Sequence, residues 1–217
     1  MIYAIRYRTP MPESILETQP EGKEWIIEGA GRAKYVIKLV KINRILPNAD
    51  LVTIKIPDAT PEIVGEYALS DEQALLAKVR YNRLIDIFLG LTTYSLQNHL
   101  RTTVKGVGQI EIDEIYVGVN QSGCHYVIPV QAKGGSDQLS VVQTKQDIHC
   151  CNEKFPNLVT RAVSTQFMED DLIALFELTI QDEQIKVVQE RHYRLVSGSE
   201  IEKADLLQYR EQSNIRI

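Results

Sequence analysis

Apolar and polar residues alternate in several short segments near the start of the chain. The alternating segments lie at residues 3–8, 24–29 and 34–45. A period of two is typical of β-strands. The third segment has apolar residues on both faces, so it is predicted to be a well-buried strand with a basic fringe. "LVTIKI", between turn-forming residues at 46–50 and 57–61, predicts one more strand.

The apolar spacing becomes helical after residue 70. Ser70, Asp71 and Glu72 have the composition of a helix start, and apolar residues at helical spacing follow as far as Gly90. A second helix is predicted for residues 92–104, because threonines able to cap it stand at its start and glycines follow its end.

Two strands, a helix and later strands complete the prediction. The strands at 109–119 and 124–133 are joined by "NQSG", a favourable hairpin turn. A helix at 137–152 and further strands follow. The sequence therefore predicts a chain of the α/β class, with a β-rich N-terminal region at residues 1–68 and a core at residues 69–217.

The composition is that of a globular protein with a substantial core. Of the 217 residues, 44% are hydrophobic and 24% are charged. No apolar run approaches the roughly 20 residues that span a bilayer, and the first residues lack the apolar segment of a signal peptide. The three cysteines, two of them adjacent, do not indicate a disulfide framework, so we expect a cytoplasmic protein with buried structural cysteines.

The charges are unevenly distributed. The net charge of −5 argues against a general polyanion binder, but residues 31–46 carry five basic side chains and no acid. Basic patches near a local acidic site suit an enzyme that binds phosphates and holds a cation; the alternative is that the basic side chains only cover solvated faces. The candidate DNA contacts are Arg32, Lys34, Lys38, Lys41, Arg80 and Arg83.

The predicted hairpin carries the candidate chemistry. Side chains two apart on a strand share a face, so Glu111 lies beside Asp113 and Gln131 beside Lys133. The antiparallel pairing can bring Asp113 near Gln131. Carboxylate oxygens, an amide oxygen and the backbone carbonyl of Ala132 are ligands that suit Mg²⁺. Lys133 can stabilise charge on a phosphate, so the pattern indicates metal-assisted phosphodiester hydrolysis.

"Glu-Ile-Asp-Glu-Ile", followed after a gap by "Pro-Val-Gln-Ala-Lys-Gly", resembles the PD-(D/E)xK nuclease superfamily, over about residues 92–166. The family signature is an acid at the end of one strand and an acid-x-Lys on the next, with a helix before and after. The resemblance implies a restriction-endonuclease-like core, a mixed sheet flanked by helices. It also implies that Asp113 binds the metal, that Gln131 is the second ligand position and that Lys133 is the catalytic lysine.

Gln131 departs from the family pattern, because most members have Glu or Asp there and only some, including Mrr-like nucleases, have Gln-x-Lys. The glutamine removes one negative charge, which Glu111 or Glu114 could restore. We expect Glu111, because it shares a face with Asp113. In the family the preceding helix often supplies an extra acid, and residues 92–104 contain none.

The function expected from this resemblance is that of a Mg²⁺-dependent DNA endonuclease, with Mn²⁺ as the alternative ion, of the restriction or phage-defence type. Residues 1–68 would contact double-stranded DNA, and a homodimer would cut both strands. Two alternatives stay open. One is a DNA-binding module on the same fold whose catalysis lapsed through Gln131, and the other is a structural or protein-interaction domain.

Overall fold

The fold is described from a computed structural model, which describes residues 11–31, 34–41, 45–67, 72–105, 107–134, 137, 139–182 and 184–214. The helices are α1 (Glu13–Leu16), α2 (Glu62–Tyr67), α3 (Glu72–Tyr81), α4 (Leu84–Leu89), α5 (Val141–Lys154) and α6 (Lys203–Asn214). The strands are β1 (Lys23–Gly29), β2 (Tyr35–Lys41), β3 (Thr53–Pro57), β4 (Thr92–Val104), β5 (Gly108–Val119), β6 (His125–Lys133), β7 (Val159–Thr160), β8 (Ala162–Phe167), β9 (Leu172–Gln181) and β10 (Gln184–Val196).

Strands β3 to β10 form one mixed sheet within the described residues. Their order is β3-β10-β9-β8-β6-β5-β4, with the short β7 beside β6. β6 and β8 run parallel, as do β3 and β10, whereas the β4-β5-β6 and β8-β9-β10 neighbours are antiparallel. Helices flank this sheet, so the predicted α/β class is confirmed. None of the described helices is long and apolar enough to span a membrane.

Helices cover both faces of the large sheet. Apolar residues of α3 and α4 join Ile128 and Val130 of β6 in one core cluster. On the other face, Cys150 and Cys151 of α5 pack in a cluster with Val127. Side chains alternate along a strand, so the even-numbered residues of β6 face α3 and α4, and the odd-numbered ones face α5. Both cysteines of α5 are buried with free thiols, as predicted.

The prediction of a helix at residues 92–104 is wrong, because this segment is β4. The strand pairs with β5 along its whole length, and the register shifts between Ser95 and Gln97. This bulge breaks the period-two pattern, and Leu96 and Leu100 then stand at a spacing that also fits a helix. The threonines at both ends of the segment favour a strand.

The N-terminal region differs from the prediction in its burial. Among the described residues, β2 pairs with β1 alone, in a separate two-stranded sheet, and it is not the well-buried strand predicted for residues 34–45. Val36 and Ile37 are 40% and 42% exposed, because a two-stranded sheet gives β2 few neighbours to cover its side chains. β3, from "LVTIKI", is a strand as predicted, and it joins the large sheet beside β10. The strand predicted at residues 3–8 lies outside the described residues.

Candidate active site

Asp113 lies where β5 and β6 separate. The paired residues of the two strands run from Val119 and His125 to Glu114 and Val130. Beyond this point the strands are no longer paired, and Oδ2 of Asp113 accepts a hydrogen bond of 2.9 Å from the Ala132 backbone N–H. The Ala132 N–H therefore binds a carboxylate oxygen of β5 and not a main-chain carbonyl.

The environment of Asp113 favours its neutral form in the absence of a cation. Burial raises the pKa of the Asp113 carboxyl, while the Ala132 N–H and the charge of Lys133 act in the opposite direction. Burial is the largest of these influences. A positive ion beside the carboxylate would reverse the balance and hold it ionised.

Lys133 ends β6 and reaches the first residue of α3. Its Nζ lies 2.7 Å from Oε1 of Glu72, and both side chains are partly buried. Glu72 is a residue that the sequence reasoning missed. The sequence indicates only that Glu72 lies in the first turn of a helix. Nothing in the sequence shows that this turn lies next to the end of β6.

Gln131 is turned toward α5 and is only 2% exposed. Its Oε1 accepts a hydrogen bond of 3.1 Å from the Thr144 hydroxyl, and Ser164 Oγ lies at 3.5 Å. Its Nε2 donates to Oε1 of Gln143 at 3.1 Å. Gln131 and Lys133, expected on one face, contact different helices, because Gln131 bonds to α5 and Lys133 pairs with Glu72 of α3.

Asp147 is a second residue that the sequence reasoning missed. It lies on α5 three residues after Thr144 and is 3% exposed, and its Oδ1 has no hydrogen-bond partner among the described residues. Burial first, and then the charge of Asp113, raise the pKa of Asp147 well above its ordinary value. The available signal was an acid next to Ile148 on the apolar side of a predicted helix, where a charged residue is unusual.

The other two candidate acids have partners of their own. Glu111 is exposed and pairs with Arg101 Nε at 3.1 Å and with His99 Nδ1 at 3.2 Å. Glu114 is fully buried on the face of α3, where Arg80 lies 2.9 Å away. The structure thus places Glu111 at the surface, and Arg80 neutralises Glu114.

The candidate DNA contacts among the described residues do not all share one face. Lys34, Lys38 and Lys41 are exposed, but Lys38 and Lys41 are three residues apart on β2 and point to opposite faces. Arg80 pairs with Glu114, and Arg83 pairs with Asp86 in the next turn. The last candidate, Arg32, lies outside the described residues.

A second, partly buried polar cluster contains an oppositely charged pair joined by two hydrogen bonds. Arg161 Nε and Nη2 donate to the two carboxylate oxygens of Glu177 at 2.6 and 2.8 Å. Gln189 Nε2 donates to the same carboxylate at 2.9 Å, and Arg161 Nη1 donates to the Leu89 carbonyl at the end of α4 at 3.2 Å. Each charge in this cluster is neutralised by the protein itself.

The residues around Asp113 can hold a cation only with help from other oxygens. No group of three or more His, Cys, Asp and Glu side chains within the described ranges is placed to hold a metal ion. Mg²⁺ is commonly bound through one or two carboxylates, with water and phosphate oxygens in its remaining positions. Comparison of the chain with family models, curated proteins and solved structures gives no match.

Proposed function

We propose that the protein is a divalent-cation-dependent nuclease that hydrolyses phosphodiester bonds of DNA at a site formed by Asp113 and Lys133. One observation carries the proposal. Where β5 and β6 separate, the partly buried Asp113 carboxylate accepts a hydrogen bond from the N–H of Ala132, and the next residue along β6 is the partly buried Lys133. An acid and a cation are thereby fixed on neighbouring strands at the open end of a sheet.

The chemistry of the donor atoms fits Mg²⁺ or Mn²⁺. The Asp113 carboxylate is a hard oxygen ligand, and a second buried carboxylate oxygen nearby, Oδ1 of Asp147, lacks a partner in the described structure. When bound, such an ion supplies Lewis acidity toward a phosphate oxygen and lowers the pKa of a bound water. Asp113 would hold the ion at the point where β5 and β6 separate.

Lys133 is suited to stabilise negative charge on the phosphate. Its ammonium group, held at the site by Glu72, is a flexible donor that can also reach a phosphate oxygen. Glu72 thereby positions the lysine, although its carboxylate competes with the phosphate for the same group. Lys133 interacts with the carboxylates of Glu72 and Asp113. A substrate phosphate would bring a further negative charge for its ammonium group to stabilise.

The order of elements supports the same proposal. The resemblance to PD-(D/E)xK nucleases calls for a helix before the two strands and another after them. α3 and α4 precede the β4-β5-β6 strands, and α5 follows. The additional acid that the resemblance places on the preceding helix has a counterpart in Glu72, the first residue of α3.

DNA as substrate and the homodimer belong to the proposal as well. Lys34, which precedes β2, and Lys38 and Lys41 on β2 are exposed. They can contact backbone phosphates, and such contacts do not depend on the base sequence. One active site cuts one phosphodiester bond at a time, so a pair of chains related by twofold symmetry would cut both strands.

The test uses the purified full chain and supercoiled plasmid DNA, with Mg²⁺, Mn²⁺ or EDTA. Even the outer partners of a metal ligand are worth about 10–100-fold, so Asp113→Asn should lower cleavage by more than that. Lys133→Ala should lower it while sparing cation binding. The control is Asp182→Asn, at an exposed turn with positive φ that asparagine tolerates. Cleavage by Asp113→Asn at the parent's rate would refute the proposal.

A DNA-binding module without catalysis is the second candidate. It is favoured by the contacts of Gln131, whose amide is used within the protein and is not directed toward Asp113. DNA binding by the parent chain without cleavage in either metal would establish this candidate. Absence of both binding and cleavage would leave a structural or interaction domain.

A further inference from the structure

We infer that Asp147 is the second carboxylate ligand of the cation site, and that Gln131 serves to position the helix that carries it. The inference rests on the proposed cation site at Asp113 and assigns the ligand that the motif lacks. The carboxylate that the motif lacks at Gln131 on β6 would thus be supplied by Asp147 on α5.

The position of α5 over β6 is fixed by polar contacts. Ser140 caps the helix by accepting a hydrogen bond from the Gln143 N–H at 3.2 Å. Gln143 and Thr144, in the first turn, both contact the amide of Gln131. Residues three and four apart on a helix lie on one side of it, so Asp147 lies on the same side as these two, one turn further along.

The Asp147 carboxylate has no internal explanation. It is almost fully buried, its Oδ1 has no hydrogen-bond partner, and no basic side chain forms an ion pair with it in the part of the chain that the structure describes. A buried carboxylate in this condition is strongly unfavourable. Glu114 also leaves one oxygen without a partner, but Arg80 supplies its counter-charge.

Asp113 is the charged neighbour of Asp147. Glu114, the next residue on β5, contacts Arg80 of α3, so the alternation of side chains directs Asp113 to the opposite face of the sheet, which α5 covers. The charge of Asp113 repels a charge on Asp147 and contributes to its raised pKa. Lys133 does not neutralise them fully, because its ammonium group is paired with Glu72. A divalent ion between Asp113 and Asp147 would satisfy the orphan oxygen and remove the repulsion at once.

This arrangement explains why a glutamine suffices at position 131. A carboxylate there would add a third buried negative charge and could not donate to Oε1 of Gln143. The neutral amide accepts from Thr144 and donates to Gln143, and so it ties β6 to α5 at two points. Two carboxylates from different elements, with water and phosphate oxygens, form a ligand set typical of Mg²⁺.

The test is titration calorimetry of the full chain with Mn²⁺ alone, together with circular dichroism to verify folding. The parent should bind one Mn²⁺ per chain. Asp147→Asn should keep the fold and lose affinity by about tenfold or more, the scale of loss known for partners of a metal site. Glu153→Gln, at an exposed acid on the same helix, should bind as the parent does.

The outcomes separate this inference from the proposed function. If Asp147→Asn binds Mn²⁺ like the parent while Asp113→Asn does not, Asp147 is structural and the inference falls, whereas the nuclease proposal stands. If the parent binds no Mn²⁺ and cuts no DNA, both fall. If the parent and both variants bind equally, the cation lies elsewhere and both assignments are overturned.

A second variant covers the case in which Asp147→Asn fails to fold. Asp147→Cys places a soft thiolate at the same position, so the site should shift its preference from Mn²⁺ toward Cd²⁺ and show thiolate–Cd²⁺ absorption in the ultraviolet. The parent chain, whose Cys150 and Cys151 are buried, is the control. Equal Cd²⁺ absorption in the parent and the variant would overturn the inference.

Discussion

Two polar clusters lie on the large sheet and the helices that cover it, and they are built in opposite ways. Around Arg161 and Glu177, two hydrogen bonds join the opposite charges, and Gln189 and a helix carbonyl add one bond each. Around Asp113 and Asp147, both charged groups are acids; Asp113 has one main-chain donor, and Asp147 has an oxygen without a partner in the described structure. The first cluster is complete without a ligand, and the second is not.

The difference separates a structural role from a functional one. A buried pair with all its hydrogen bonds made stabilises the native arrangement, and removing one partner leaves an uncompensated charge. A pair of like charges destabilises the native arrangement until something neutralises it. On the proposed function, the oxygen of Asp147 without a partner marks the cation site, whereas the Arg161–Glu177 pair needs no ligand.

The largest expected effect tests the structural cluster. Glu177→Ala leaves the partly buried Arg161 without its counter-charge, so the free energy of unfolding should fall by about 1.5–3 kcal/mol, the range for hydrogen bonds to charged groups, measured by urea denaturation. The Mn²⁺ affinity of the folded fraction should not change. Arg101→Ala, which breaks the exposed pair with Glu111, is the control and should cost at most about 1 kcal/mol. A drop in Mn²⁺ affinity for Glu177→Ala would show that the two clusters are coupled.

The second effect has the opposite sign. In EDTA at neutral pH, Asp147→Asn should raise the free energy of unfolding by about 1–3 kcal/mol, because it replaces a buried, uncompensated charge by a neutral amide, whose burial costs less. Because burial raises the pKa of Asp147 above the ordinary value of 3.8, the parent is destabilised as the pH rises through the folded-state pKa. The advantage of the variant should therefore shrink toward pH 4. A difference that is independent of pH would exclude ionisation of Asp147 as its cause.

A smaller effect is expected at position 131. The sequence motif predicts that Gln131→Glu tightens cation binding by adding a ligand charge. The structure leads us to expect unchanged Mn²⁺ affinity and a loss of about 0.5–1.5 kcal/mol in stability, because the contact with Gln143 is impaired. Calorimetry and urea denaturation distinguish the two expectations, and clearly tighter binding would show that residue 131 turns toward the ion.

The smallest effect concerns the separate β1-β2 sheet, which contributes no residue to either polar cluster. The triple variant Lys34→Gln, Lys38→Gln, Lys41→Gln should weaken DNA binding and reduce the salt dependence of its affinity by about 0.9 per lost phosphate contact. Since Lys38 and Lys41 point to opposite faces, we expect a reduction smaller than three contacts would give. An unchanged salt slope, measured by fluorescence anisotropy, would remove this sheet from the DNA interface.

The strand hairpin that carries Asp113 and Lys133 could be predicted from the sequence, because its alternation and turn are local signals. β4 could not, because a bulge breaks the period on which such a prediction depends. The roles of Glu72 and Asp147 depend on which helix lies over which strand end, and this is decided by packing between distant segments. The face toward which Gln131 points follows from the alternation of side chains along β6. Its partners on α5 are visible only in the structure.

The irregular geometry of β4 also bears on how the sheet ends. β4 is the outermost strand on one side, and a long outer strand exposes a row of main-chain groups that invites pairing with another chain. The bulge at Ser95 and Gln97, together with the positive φ of His99, divides this row into short pieces. At the opposite end, the Lys55 N–H of β3 already donates to the Tyr209 hydroxyl of α6. These features make edge-to-edge pairing with another chain less favourable at both borders of the described sheet.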